Sequence, residues 1–284
     1  MSKDYETAIA ANIEVHSRLA ATYNEIEPHF RPESIARVEQ IVANLAAQMI
    51  PEHALDLGCG TGFMINILKQ YFPKITGVDV TQAMLDRVDL SGPAEIRLLN
   101  ADTGKVQLEP SSFDLVCAYT FLDHLYDMGP TFRTAHAALK SGGWFYADLS
   151  PNYQFWHAFK NLELTQAYTP EITRELNAVL SKDEEIEKQF GIDRAIFRDA
   201  EYQKHVKGGL DEEALRAELH EAGFREVKFL YHWYVGQAFI VNNPKQERSK
   251  NLLQADLINS ALLNMLPLSR HLFKYIGFIA TKTS

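Results

Sequence analysis

Three glycines fall within five positions, Gly58, Gly60 and Gly62, in the run ALDLGCGTGF. An apolar strand that breaks into glycines leaves a loop that a ligand can approach closely, because glycine has no Cβ and tolerates dihedrals other residues avoid. A helix that follows points its free N–H groups at such a ligand. The dinucleotide fingerprint is G-x-G-x-x-G. Here the chain reads G-x-G-x-G, and Phe63 stands where the third glycine belongs. A pyrophosphate needs the helix terminus at close range, whereas a ligand without phosphates tolerates a phenyl ring there. Asp79 closes the next strand, KITGVDV, where a carboxylate can accept both ribose hydroxyls. Asp102 closes the third, in LLNADTG, where it can accept from an adenine amino group while the Thr103 N–H meets a ring nitrogen. These features describe an adenosine-type site with no phosphate grip.

The elements that position these residues read as alternating strands and helices. HALDLG, KITGVDV, EIRLLNAD, SFDLVCAYTF and GWFYADLS are strands. GFMINILKQYF, TQAMLDRVDL and TFRTAHAALK are helices, the last stopped by Gly142 and Gly143. That alternation argues for βαβ units on a parallel sheet, a doubly wound core over residues 51–150. Before it, residues 4–26 and SIARVEQIVANLAAQMI read as helices, giving an N-terminal helical segment over 1–50. After it, residues 151–208 leave the alternation as a helical, charged insertion with interleaved aromatics. Residues 209–284 add the helix DEEALRAELHEAGF, the strand EVKFLYHWYV and the closing strand KYIGFIATK, with a helical segment at 241–272 between the two strands.

The chain has 284 residues, 46% hydrophobic and 23% charged, an ordinary globular composition. Its net charge of −9 argues against a nucleic-acid partner, which would call for a basic stripe. Cys59 and Cys117 sit in apolar runs and read as buried thiols of a reducing compartment. No apolar run reaches the roughly 18 residues of a membrane span. The start, MSKDYETAIAANI, lacks a signal-peptide pattern, so the cytoplasm is the expected location. No cluster has zinc spacing, and no metal is expected.

In order, ALDLGCGTG, GVDVTQAML, NAD, SFDLVCAYTFLDHL and ALKSGGWFYADLS resemble the class I S-adenosylmethionine-dependent methyltransferases of small-molecule type. The resemblance covers roughly residues 35–150 and resumes at LRAELHEAGFREVKFLYHWY and KYIGFIATK. It implies an α/β fold with a doubly wound, seven-stranded, mostly parallel Rossmann-like sheet, N-terminal helices and a helical cap. It implies S-adenosyl-L-methionine as cofactor. By position, Asp56, Gly58, Cys59, Gly60 and Gly62 correspond to the loop around the methionine moiety. Asp79 corresponds to the ribose ligand, Val80 and Met84 to the adenine packing, and Asp102 and Thr103 to the adenine edge. Tyr119 falls near the methionine end, and Tyr23 belongs to an N-terminal helix that closes over the cofactor.

A methyl sulfonium is already electrophilic, so the protein mainly orients the reactants. A hydroxyl acceptor also needs a base. His124, in FLDHLYD just past the fourth strand, is the leading catalytic candidate, against a role in merely positioning its loop. Asp148, ending the fifth strand, and His232, on one strand face with Tyr234, are further candidates. Arg31, in the turn with His29, is a candidate partner for the methionine carboxylate. Tyr153, Trp156 and His157 open the insertion and form either an aromatic lid over the acceptor or a satellite core. With Tyr234 they are the substrate-binding candidates.

The expected reaction is in-line methyl transfer to oxygen, nitrogen or carbon of a small molecule, a natural product or metabolite. AYTF stands where base and amide N-methylases carry an Asn-Pro-Pro-Tyr-like tetrapeptide, which also points away from nucleic acid. The alternatives are other chemistry on the same cofactor, a non-catalytic binding protein, and a nicotinamide oxidoreductase, the last disfavoured by Phe63. The apolar segment LINSALLNMLPLSRHLFKYIGF is expected to complete the core or pack against a second copy, as in a homodimer.

Overall fold

A computed structural model describes residues 3–163 and 166–283. The helix expected over 4–26 is broken. α1 (Lys3–Leu19) ends in a turn and α2 (Tyr23–Ile26) restarts, because the carbonyls of Ala20 and Ala21 accept from Arg87 at 3.3 and 3.0 Å. α3 (Pro32–Ala46) begins on a proline, whose missing N–H is no loss in a first turn, and buries Val38, Val42 and Leu45. Then follow β1 (His53–Leu57), α4 (Phe63–Leu68), β2 (Lys74–Asp79), α5 (Gln82–Leu85), β3 (Glu95–Asn100) and β4 (Phe113–Tyr119). α6 (Gly129–Ala138) stops earlier than the glycines suggested. Leu139 is already extended and opens β5 (Leu139–Pro151).

The insertion is helical: α7 (Tyr153–Lys160), α8 (Pro170–Phe190), α9 (Arg194–Ala200) and α10 (Tyr202–His205). α11 (Glu212–Glu221), capped by the Asp211 carboxylate, leads to β6 (Glu226–Tyr234). α12 (Gln237–Val241) and α13 (Arg248–Asn264) separate it from β7 (Phe273–Thr281). α13 turns Ile258 and Leu262 onto the core and leaves Leu253 and Leu257 exposed, so the apolar segment completes the core only in part.

The sheet has seven strands in the order β3-β2-β1-β4-β5-β7-β6. β1 to β5 pair in parallel, and β7 runs antiparallel to both of its neighbours. This is the mostly parallel, doubly wound sheet the sequence leads one to expect. Its central strands are buried on both faces, as helix-covered parallel strands must be. From β1 the chain winds outward through β2 and β3, then returns to β4 on the other side. That reversal opens a crevice beyond the carboxyl ends of β1 and β4, where ligands of such sheets bind.

Candidate functional site

The glycine loop is clasped onto the end of β2. The N–H groups of Gly58 and Cys59 both donate to the Val78 carbonyl, at 2.8 and 3.0 Å. The Asp79 carboxylate accepts from the Gly60 N–H at 2.9 Å and the Thr81 N–H at 2.8 Å. Gly58 has φ +73°, and a Cβ there would meet the Phe121 ring at 2.0 Å. The position therefore requires glycine twice over, for its dihedral and for the ring beside it. Cys59 and Cys117 are free and buried. Phe63, in the place of the third glycine, stacks on Tyr119 with centroids 4.7 Å apart, and both rings wall the site.

The loop borders a cavity of about 790 Å³, counted to its open mouth. Asp56, Gly58, Cys59, Gly60 and Tyr119 line one end, and Asp79, Val80 and Met84 the middle. Ala101, Asp102 and Thr103 line the other. Gly62 does not line it. Its φ of +92° instead carries the backbone into α4. Asp56 is 1% exposed, and its Oδ1 has no hydrogen-bond partner. Burial, reinforced by the Asp79 carboxylate, pushes the Asp56 carboxyl up to about 8. A buried, unpartnered carboxyl calls for a cation. The α-ammonium of S-adenosylmethionine is such a cation, so the residues present fit that cofactor. At the far end, the Asp102 Oδ1 accepts from the Gly104 N–H at 2.9 Å, and its Oδ2 accepts from the Tyr5 hydroxyl of α1. The Thr103 hydroxyl shares a 2.8 Å hydrogen bond with Thr131, which holds its backbone at the cavity wall.

α1 roofs this cavity with Ile9, Asn12 and His16. Asn12 donates to the His124 carbonyl at 3.0 Å, and the rings of His16 and His124 meet edge-on at 4.8 Å. His124 lines the cavity, but its Nδ1 donates to the Ala200 carbonyl at 2.9 Å. It thereby ties the loop after β4 to α9 of the insertion. Tyr23 also lines the cavity and shares a hydrogen bond with Thr120. Asn24 accepts from the Thr61 hydroxyl at 2.5 Å, fastening α2 to the glycine loop.

Asp148 and His232 lie elsewhere. Asp148 is fully buried and accepts from Arg37 Nη1 and the Tyr146 hydroxyl, each at 2.8 Å, and stands 3.0 Å from His232 Nε2. The imidazole and guanidinium hold its carboxyl far below the usual range against the opposing effect of burial. Such a carboxylate is not a base. It anchors Arg37, whose Nη2 donates to the Tyr119 hydroxyl at 3.1 Å. The catalytic reading of Asp148 and His232 therefore gives way to a positioning cluster, for neither lines the cavity that the glycine loop borders. Nothing in the sequence signals Arg37, because its partner is 111 positions away.

The aromatics of the insertion also divide. Trp156 packs with Phe155, Phe159 and Leu176 in a satellite core, and Tyr153 stacks on His157 at 5.4 Å. Tyr153, Trp156 and His157 line neither cavity, and of the three Trp156 belongs to the satellite core. Tyr234 lines a second cavity of about 880 Å³, likewise counted to its mouth, with Trp233, Tyr275 and Phe155. Arg31 lines that cavity and not the first, which removes it as a partner for a methionine carboxylate.

Residues 55–147 match the family model described as a methyltransferase domain. The ubiquinone biosynthesis O-methyltransferase of Bordetella pertussis is 24% identical over 203 residues, 68% of this chain and 84% of that protein. That of Bordetella avium is 26% identical over 150 residues, and the alignment spans 50% of this chain and 62% of the relative. Among solved structures, an S-adenosylmethionine-dependent methyltransferase of Mesorhizobium loti aligns with TM-score 0.50 at 20% identity, over 84% of this chain and 96% of that one. A Haemonchus contortus phosphoethanolamine N-methyltransferase 2, complexed with phosphomonomethylethanolamine and S-adenosylhomocysteine, aligns with TM-score 0.56 at 14% identity. It covers all of this chain and 61% of that one, and at this identity both structures speak to the fold alone. With the glycine loop, the strand-end carboxylates and the sheet order all in place, the chain carries a methyltransferase domain over residues 55–147 on the fold of S-adenosylmethionine-dependent methyltransferases.

Proposed function

We propose that the chain transfers a methyl group from S-adenosylmethionine to a small-molecule acceptor. The observation that carries this is the buried, unpartnered Asp56 carboxyl at the end of β1, beside the loop glycines and Asp79. In this reading Asp56 holds the α-ammonium and Asp79 the ribose hydroxyls. Val80 and Met84 flank the adenine, while Asp102 and the Thr103 N–H meet its edge. Bound there, the cofactor supplies an electrophilic methyl on a sulfonium. The chain's own part is to orient the reactants and exclude water, which supplies much of the acceleration.

The segments divide the work accordingly. Residues 1–50 roof the cofactor, 51–150 carry its site, and the insertion at 151–208 buttresses that roof through α9. Tyr23 closes the methionine end, and His124 positions the roof by donating its Nδ1–H to the Ala200 carbonyl. The likeness to the Bordetella O-methyltransferases favours oxygen as the methylated atom. The net charge of −9 supports a small molecule over a nucleic acid. Phe63 at the start of α4 disfavours a nicotinamide dinucleotide, whose pyrophosphate wants that place. The test is transfer of labelled methyl from S-adenosylmethionine into the small-molecule fraction of a metabolite extract. Transfer by the wild type and none by Asp79→Ala is expected. Cofactor binding without transfer to any fraction would leave a non-catalytic binder.

A further inference from the structure

The second cavity adjoins the cofactor cavity at two residues, His29 and Thr120, which line both. His29 belongs to the single-turn 3₁₀ helix Pro28–Phe30, between α2 and α3. Its side chain is 5% exposed and wedged edge-on against Phe63 at 5.0 Å and Tyr119 at 5.9 Å. Its Nδ1 lies 3.8 Å from Glu27 Oε2, beyond hydrogen-bond range, and no partner of Nε2 is found among the described residues. A buried imidazole that lines both the cofactor cavity and a second cavity is placed to touch what either one holds.

The second cavity has a mixed character. Trp233, Tyr275 and Phe155 supply aromatic walls. Lys274 is neutralised by Glu175 at 3.3 Å, whereas Arg31, exposed at the rim, makes no ion pair among the described residues. Thr120, Leu149 and Trp233 all line it, with φ of +48°, +58° and +58°. Left-handed backbone at a β-branched or bulky residue is costly and clusters at ligand sites. Three of the four such non-glycine residues described border this one cavity.

We propose that this cavity, lined by Arg31, Trp233 and Tyr275, is the acceptor site, that it takes a hydroxylated aromatic acid, and that His29 receives the hydroxyl proton. Aromatic walls take the ring, and Arg31 takes the carboxylate. In the step, the acceptor oxygen forms the new O–C bond, the C–S electron pair returns to sulfur, and the hydroxyl proton passes to the free nitrogen of His29. The proton then leaves to water through the mouth of the cavity. Desolvation holds the His29 imidazole down to about 4, so the ring is neutral at physiological pH.

This inference rests on the cofactor reading above, and the experiment separates the two. Protein saturated with S-adenosylhomocysteine is titrated calorimetrically with 3,4-dihydroxybenzoate. Arg31→Ala is expected to weaken that binding about tenfold and to leave S-adenosylhomocysteine affinity unchanged. His29→Asn is expected to slow methylation of 3,4-dihydroxybenzoate about 100-fold. It should slow that of 4-mercaptobenzoate, an aromatic thiol largely ionised near neutral pH, by less than tenfold. Binding of S-adenosylhomocysteine with no binding or no methylation of dihydroxybenzoate overturns the acceptor assignment. Equal losses on the two probes overturn the role of His29 as proton acceptor. Failure to bind S-adenosylhomocysteine at all instead defeats the cofactor reading.

Discussion

Arg37 Nη1 donates to Asp148 Oδ2 at 2.8 Å, joining α3 to the end of β5 inside the molecule. The pair ties the N-terminal segment to the sheet, and through the Tyr119 hydroxyl it reaches the wall of the cofactor cavity. Removing Arg37 leaves the buried Asp148 carboxylate with His232 and the Tyr146 hydroxyl but without its guanidinium. Arg37→Met is therefore expected to lower stability by about 3 kcal/mol, read from urea unfolding. A loss below about 1 kcal/mol would show the pair to behave as a surface contact.

Asp148 also sets an acid limit. Its folded carboxyl lies far below the ordinary value of 3.8, so its contribution is full above pH 4 and is lost as the pH falls through the acid range. Asp148→Asn is expected to reduce the wild-type stability most at neutral pH and progressively less below pH 4. A difference between the two proteins that is constant from pH 2 to 7 would contradict this.

Asp56 has the opposite sign. Its folded carboxyl is raised to about 8, so the unliganded protein loses stability as pH rises from about 4 to 8. Asp56→Asn is expected to stabilise the unliganded protein at pH 8 and to make little difference at pH 4. At pH 7, binding an ammonium beside Asp56 should release a proton. Calorimetry with S-adenosylhomocysteine in buffers of different ionisation enthalpy is expected to show that release, and 5′-methylthioadenosine, which lacks the amino-acid end, is expected not to. Equal proton release with both ligands would place the ammonium elsewhere.

Gly58 and Thr120 carry contrasting strain. Gly58→Ala drives a Cβ into the Phe121 ring and should abolish S-adenosylhomocysteine binding. Thr120→Gly relieves a φ of +48°, which offsets the freedom that glycine adds to the unfolded chain, and is expected to leave stability within about 1 kcal/mol of the wild type while lowering turnover, since Thr120 borders both cavities. A Thr120→Gly variant destabilised by more than that would contradict the strain assigned there.

The glycine loop, Asp79, Asp102 and the doubly wound core were legible because each depends on a local pattern: a strand, a turn and a carboxylate at the strand's end. Residues that meet across the fold were not. Tyr5 and Asp102 are 97 positions apart, and neither signals the other. Asp148 and His232 look like free catalytic groups in the chain, and only the guanidinium of Arg37, brought in by α3, reveals them as a neutralised cluster. The aromatics at 153–159 have the same helical spacing whether they cover an acceptor or one another, so periodicity alone left both readings open. A lone histidine such as His29 in a Pro-His-Phe turn shows no chemistry in the sequence, because only the fold sets its ring on two cavities.

In the proposed function the cavity beneath α1 holds S-adenosylmethionine through Asp56 and Asp79. Calorimetric titration of the purified chain tests it most directly. Micromolar binding of S-adenosylhomocysteine is expected, weakened at least 100-fold, about 3 kcal/mol, by Asp79→Ala, with no heat from nicotinamide dinucleotides. Binding of a nicotinamide dinucleotide with none of S-adenosylhomocysteine, or an Asp79→Ala variant with wild-type affinity, would contradict it.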